Sequence, residues 1–129
     1  MHEERLSPEL GRLIDAAKAA AARVEPTRTG TEVVGVLVSG GAVYAAHADE
    51  GGSGSPVSAA ESALALARAE GDQEVLTAVV VRSHDVSESV RPSPATCRSL
   101  AALDPELPVV IKQMGRWVML PLSQLQPSV

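Results

Sequence analysis

Between a glycine/serine run at Gly51 to Ser55 and the next glycine, Gly71, lies the stretch that restricts the fold most. It reads Pro56-Val57-Ser58-Ala59-Ala60-Glu61-Ser62-Ala63-Leu64-Ala65-Leu66-Ala67-Arg68-Ala69-Glu70. Alanine and leucine are strong helix formers, proline suits a helix's first turn, and glycine suits the residue that ends one. Val57, Ala60, Ala63, Leu64 and Ala67 recur at helical spacing, so the stretch predicts one buried helix with an apolar stripe. Its side chains are small, which lets a sheet come close to its backbone.

Around that helix the rest of the chain reads as short, well-punctuated elements. Ser7-Pro8-Glu9 starts a helix with a capping hydroxyl, a first-turn proline and an acid at the positive end of the dipole. Leu10, Leu13, Ile14, Ala17, Ala21 and Val24 then face inward until Pro26 stops it. This is a core-covering helix rather than a membrane-surface one, because its polar face is not rich in Lys and Arg. A strand is expected over Glu32 to Val38, a tight turn at Ser39-Gly40-Gly41, and a partner strand over Ala42 to His47. Glu74 to Val81 is almost continuously apolar, as for a strand covered on both faces. After a polar loop from Ser83 to Ser93 come a short helix (Pro94 to Leu103), a strand (Pro108 to Gln113), a turn at Met114-Gly115, a last strand (Arg116 to Leu120) and a short terminal helix (Leu122 to Leu125). The order αββαβαββα implies helices on both faces of one mixed sheet. With 129 residues, no repeat and no long linker, a single domain over 1–129 is expected.

Composition narrows the function classes. A net charge of -5 argues against nucleic acid as a partner, and so does an aromatic content of 2%, with one Trp, one Tyr and no Phe. One cysteine excludes an intramolecular disulfide. The charged start, Met1-His2-Glu3-Glu4-Arg5, has no apolar signal core behind it, and no run reaches membrane-spanning length, so a cytoplasmic protein with no membrane partner is the expectation.

Two short segments carry a family resemblance. Ala59-Ala60-Glu61 and Ser93-Pro94-Ala95-Thr96-Cys97-Arg98 resemble the Cys-Ala-Glu and Pro-Cys-x-x-Cys-Arg signatures of the small, homotetrameric-type cytidine deaminases. Flanking pieces follow in the right order. Leu13-Ile14-Asp15-Ala16-Ala17-Lys18 is similar to the family's first helix and Val34-Gly35-Val36 to its first strand. Asp104-Pro105-Glu106-Leu107-Pro108-Val109-Val110 is similar to the approach to its fourth strand, and Leu122-Ser123-Gln124-Leu125-Gln126-Pro127 to its closing Leu-Ser-x-Leu-Leu-Pro. The resemblance implies an α/β fold, a three-layer α/β/α arrangement with a mixed five-stranded sheet.

What it implies about chemistry is mostly loss. Zinc nucleobase deaminases hold Zn²⁺ with three protein ligands and a water whose pKa falls toward neutrality, while a glutamate moves the proton. Carried over by position, the ligand places hold Ala59, Pro94 and Cys97; only Cys97 has a donor atom. Glu61 stands at the proton-shuttle position as a vestige, the plainer reading being an acid at a helix N-terminus. His47 and His84 could approach the site as substitute ligands, though a strand-end and a loop histidine are the simpler readings. The arginine that usually follows Cys-Ala-Glu is Ser62 here. The family's ribose-binding Asn-x-Glu corresponds to Ala48-Asp49-Glu50, so Ala48 and Glu50 mark the substrate-contact positions. The ring that packs on the pyrimidine is missing from Pro26-Thr27-Arg28-Thr29-Gly30-Thr31. Cys97 itself reads either as a reactive first-turn thiol or, more simply, as a small buried hydrophobe. The Gly51 to Ser55 loop has the position of a phosphate cradle but lacks its spacing and its lysine.

The expectation is therefore a cytidine-deaminase-fold protein without its zinc ligands, with no cofactor, serving as a non-catalytic binding or structural module. The alternatives are an active zinc-dependent nucleoside deaminase with unusual ligands, or a sensor of a small nucleoside-like ligand. A homo-oligomer, dimer or tetramer, is expected, with Ala63, Ala67 and the Gly51 to Ser55 loop as candidates for a symmetric interface.

Overall fold

The computed structural model describes residues 8–24, 30–48, 58–71, 74–84 and 89–125. The elements are α1 (Pro8–Ala22), β1 (Glu32–Val38), β2 (Val43–His47), α2 (Ala59–Ala69), β3 (Val75–Arg82), α3 (Pro94–Ala101), β4 (Pro108–Gln113), β5 (Arg116–Pro121) and a 3-10 turn over Leu122–Gln124. The five strands form one mixed sheet in the order β2-β1-β3-β4-β5, with only β3 and β4 parallel. This is the three-layer α/β/α arrangement expected from the sequence.

Strand alternation sorts the core into two layers. Val33 and Leu37 of β1, Val79 and Val81 of β3 and Val110 of β4 pack with Leu13, Ile14, Ala17, Ala20 and Ala21 of α1. Val34, Val36 and Val38, with Ala78, Val80, Val109 and Ile111, pack on the other face with Ala59, Ala60, Ala63, Leu64 and Ala67 of α2 and Cys97 and Leu100 of α3. All seven residues of β1 are buried. Gly35 lets α1 approach that strand, since a Cβ there would stand 3.0 Å from Val79 Cγ1 and 3.2 Å from Leu13 Cδ1. At the β4–β5 hairpin Met114 and Gly115 have φ of 51° and 80°, and Gln113 pairs with Arg116. Those angles suit the mirror-image turn that matches the twist of the strands.

Two expectations change. The central helix begins at Ala59 rather than Pro56, because Ser58 takes extended backbone and caps it: Ser58 Oγ accepts from Glu61 N, and the Glu61 side chain reaches back to Ser58 N. Pro56 and Val57 lie outside the described residues, as do Ser7 and Pro26. Gly71 does follow the helix end, with φ of 134°. The other change concerns Ala63 and Ala67, read from the sequence as interface residues. They are 0% and 7% exposed and belong to the core of the chain itself. The helix turns its small side chains toward the sheet, and its outward surface is Glu61, Ala65, Leu66, Arg68 and Ala69. The loop from Gly51 to Ser55 lies outside the described residues.

These contacts set the cost of enlarging either side chain. Gly35→Ala pushes a methyl against two fully buried neighbours and is expected to destabilise by about 1–3 kcal/mol. Ala67→Arg places a charge in the core and is expected to cost on the order of 3 kcal/mol or more. Urea unfolding followed by circular dichroism checks both through the shift in midpoint.

Candidate functional site

One end of the sheet gathers the segments singled out in the sequence. β1 starts there at Glu32, β2 ends there at His47 and β3 ends there at Arg82, as their antiparallel registers require. α2 and α3 begin with serine caps, Ser58 and Ser93, whose hydroxyls accept from the backbone N–H three residues on. Proline at the first position of α3 costs nothing, since its missing N–H would have had no intrahelical acceptor. Backbone bonds lace the strand ends together: Ala48 N donates to Glu32 O at 2.9 Å, and Gly30 N and Ser83 N are each 2.8 Å from the carbonyl oxygens of Ser83 and Thr31.

The first turn of α2 contributes Ala59, fully buried, and Glu61, exposed and engaged in the capping box with Ser58. Glu61 N lies 3.1 Å from Ser58 Oγ, and Glu61 Oε1 accepts from Ser58 N at 3.4 Å. Its carboxylate thus serves the start of its own helix. The first turn of α3 contributes Pro94, exposed, and Cys97, 3% exposed. The Cys97 thiol donates to Leu125 O at 3.9 Å, toward the C-terminal turn. Burial pushes this thiol up from its ordinary pKa; the charge of Glu32 pushes the same way, and Arg91 and Arg98 partly offset both.

His47 and His84 are each engaged with a backbone carbonyl. His47 pairs with Val33 across the β1–β2 ladder and so falls on the α1 face, opposite the face that holds Ala59 and Cys97. Its Nδ1 is 2.9 Å from Ala48 O. His84 takes a positive φ of 48°, and its Nε2 lies 2.6 Å from Val24 O, just beyond α1. Among the described residues no group of three or more His, Cys, Asp or Glu side chains could hold a metal ion. Ala48 adjoins the α2/α3 core, whereas Glu50 and Pro26 to Thr29 lie outside the described residues.

The residue that sequence reasoning missed is Glu32. It opens β1 at an even position, facing α2 and α3, and is only 6% exposed. Oε2 accepts from Ser93 N at 2.8 Å. Oε1 accepts from Ser93 Oγ at 2.9 Å and from Thr96 Oγ1, itself fully buried, at 2.7 Å. A carboxylate therefore meets the positive end of the α3 dipole in a buried setting, where such bonds are strong. A signal was available: a lone acid opening a strand that is otherwise entirely apolar.

With this geometry in view, the comparisons with known proteins divide sharply. No family model matches the chain, and no curated protein does. Solved structures match well. A structure of cytidine deaminase from Burkholderia pseudomallei superposes with a TM-score of 0.72 at 26% identity, covering 92% of this chain and 96% of that one. The chain has the cytidine deaminase fold. A structure of cytidine deaminase from Mycobacterium leprae gives 0.69 at 20% identity, covering 95% and 100%.

The setting of Cys97 predicts its reactivity. A raised pKa disfavours the thiolate, which is the attacking species. Modification by a disulfide reagent near neutral pH should be at least roughly 100-fold slower in the native protein than in urea, since opening a core position costs several kcal/mol. The sign for stability follows. The unfolded thiol ionises first, so this contribution is full at neutral pH and declines as pH rises beyond the ordinary thiol range of about 8.5.

Proposed function

We propose that this chain is a non-catalytic binding or structural module, a single domain over 1–129 that keeps the deaminase fold and works without zinc. The observation that carries this reading is the donor set at the first turns of α2 and α3. Of Ala59, Pro94 and Cys97, two have no donor atom, and the third is a buried thiol turned to Leu125 O with a raised pKa. A zinc site with an open position needs three protein ligands, and metal binding requires the thiolate. The residues present do not fit that ion, so no step is drawn through it. Glu61 supports the same reading, because its carboxylate is committed to the capping box.

The opposing reading, an active zinc-dependent cytidine or nucleoside deaminase with unusual ligands, draws on the 26% identity to a protein named a cytidine deaminase over nearly the whole chain. Metal analysis and an activity assay separate the two. Purified protein is expected to hold well under one zinc per chain, with a melting temperature that chelator leaves unchanged. Cytidine and deoxycytidine, followed by ultraviolet absorbance with and without added zinc, are expected to show no turnover above buffer. Turnover that Glu61→Gln abolishes would establish the enzyme instead.

The module is proposed to act as a homo-oligomer, dimer or tetramer, with a small nucleoside-like molecule as the ligand class. No described helix is long and apolar enough to cross a membrane. Assembly is assigned to the outward face of α2, where Leu66 is 47% exposed among Ala65 and Ala69. Light scattering at micromolar concentration should give a mass at least twice 13.3 kDa for the wild type and a smaller one for Leu66→Arg. A wild-type mass equal to one chain would end the oligomer reading.

A further inference from the structure

We propose that Glu32 is an internal ligand of α3: its carboxylate permanently occupies the anion-accepting first turn of that helix and ties it to β1. Three donors converge on the carboxylate, Ser93 N, Ser93 Oγ and Thr96 Oγ1, at 2.8, 2.9 and 2.7 Å. Ser93 Oγ works twice, donating to Glu32 while accepting from Thr96 N at 3.2 Å. The acid, the capping serine and the first turn of the helix therefore form one relay. Its partners lie 61 and 64 residues apart in sequence, so it joins the start of the second element to the start of the sixth. Glu32 is also fixed through its backbone, whose carbonyl accepts from Ala48 N at 2.9 Å.

Geometry and charge make this a site rather than a chance contact. No buried side-chain nitrogen or oxygen among the described residues is left without a partner, so the relay is complete. An unpaired buried carboxylate is expensive, and here the helix dipole with two hydroxyls and one N–H supplies the compensation. While Glu32 is in place, an outside anion finds the first turn filled; with the side chain cut back, a small carboxylate can take its place.

The inference rests on the clamp geometry and not on the non-catalytic reading, so each can fail alone. The test is thermal denaturation of the full chain as wild type, Glu32→Ala, Glu32→Gln and Thr96→Val, with sodium formate against sodium chloride at equal ionic strength. Glu32→Ala should melt on the order of 10 °C below wild type, as the loss of two or three charge-assisted bonds implies for a chain of this size. Formate should restore part of that drop while chloride does not, and neither salt should act differently on wild type. Glu32→Gln should fall between, and Thr96→Val should lose a few degrees. A Glu32→Ala protein that melts with wild type, or that responds equally to formate and chloride, overturns the proposal. If Glu32→Ala does not fold, Thr96→Val decides: an unchanged melting temperature overturns the clamp, and a drop that shrinks in the Glu32→Gln/Thr96→Val double variant supports it.

Discussion

Everything in this molecule is arranged about β1. Each of its seven residues is buried, because α1 covers one face and α2 with α3 cover the other. A strand in that position tolerates no large error in depth on either side. Gly35 sets the approach of α1, and the alanines of α2 set the approach on the far face. Both layers are thin because the side chains at the contact are small. That fits a chain with no Phe to fill wider gaps. Close packing of this kind gains its energy from many short dispersion contacts rather than from a few large anchors.

Much of this was legible beforehand, for reasons tied to particular residues. The nearly continuous apolar run from Glu74 to Val81 identified a strand covered on both faces, found at Val75–Arg82, and Met114-Gly115 marks a hairpin that the backbone angles bear out. The order of elements and the mixed sheet followed. Boundaries were harder: a first-turn proline pointed to Pro56, whereas the capping box between Ser58 and Glu61 starts α2 at Ala59. Ala63 and Ala67 were rightly placed on the buried stripe, and their second reading as interface residues fails because the sheet already covers them. A lone acid at the head of the apolar strand β1 was a readable signal, but its pairing with Ser93 and Thr96 was not, because these residues are far away in sequence and no local pattern joins them.

Likeness of fold does not by itself carry likeness of chemistry. The backbone follows two deaminase structures over more than nine-tenths of the chain. The helix starts at that end of the sheet are finished with serine caps, a buried acid and a shielded thiol, each with its hydrogen bonds met inside the chain. A fold constrains where helices begin; it does not dictate what their first turns must hold.

The sheet's one parallel ladder has a consequence for how the chain comes together. β1, β2 and β3 pair antiparallel, two of them through a short hairpin, while β3 and β4 meet only after α3 has crossed the sheet. Closing that crossover costs loop entropy before any contact repays it, so the parallel pair belongs to the slow part of folding. The acid at the start of β1 must also wait for α3 before its charge is matched. A chain leaving the ribosome would therefore keep the carboxylate of its first strand in water until residue 96 of 129 had been made, which couples the completion of the early half to the arrival of the late one.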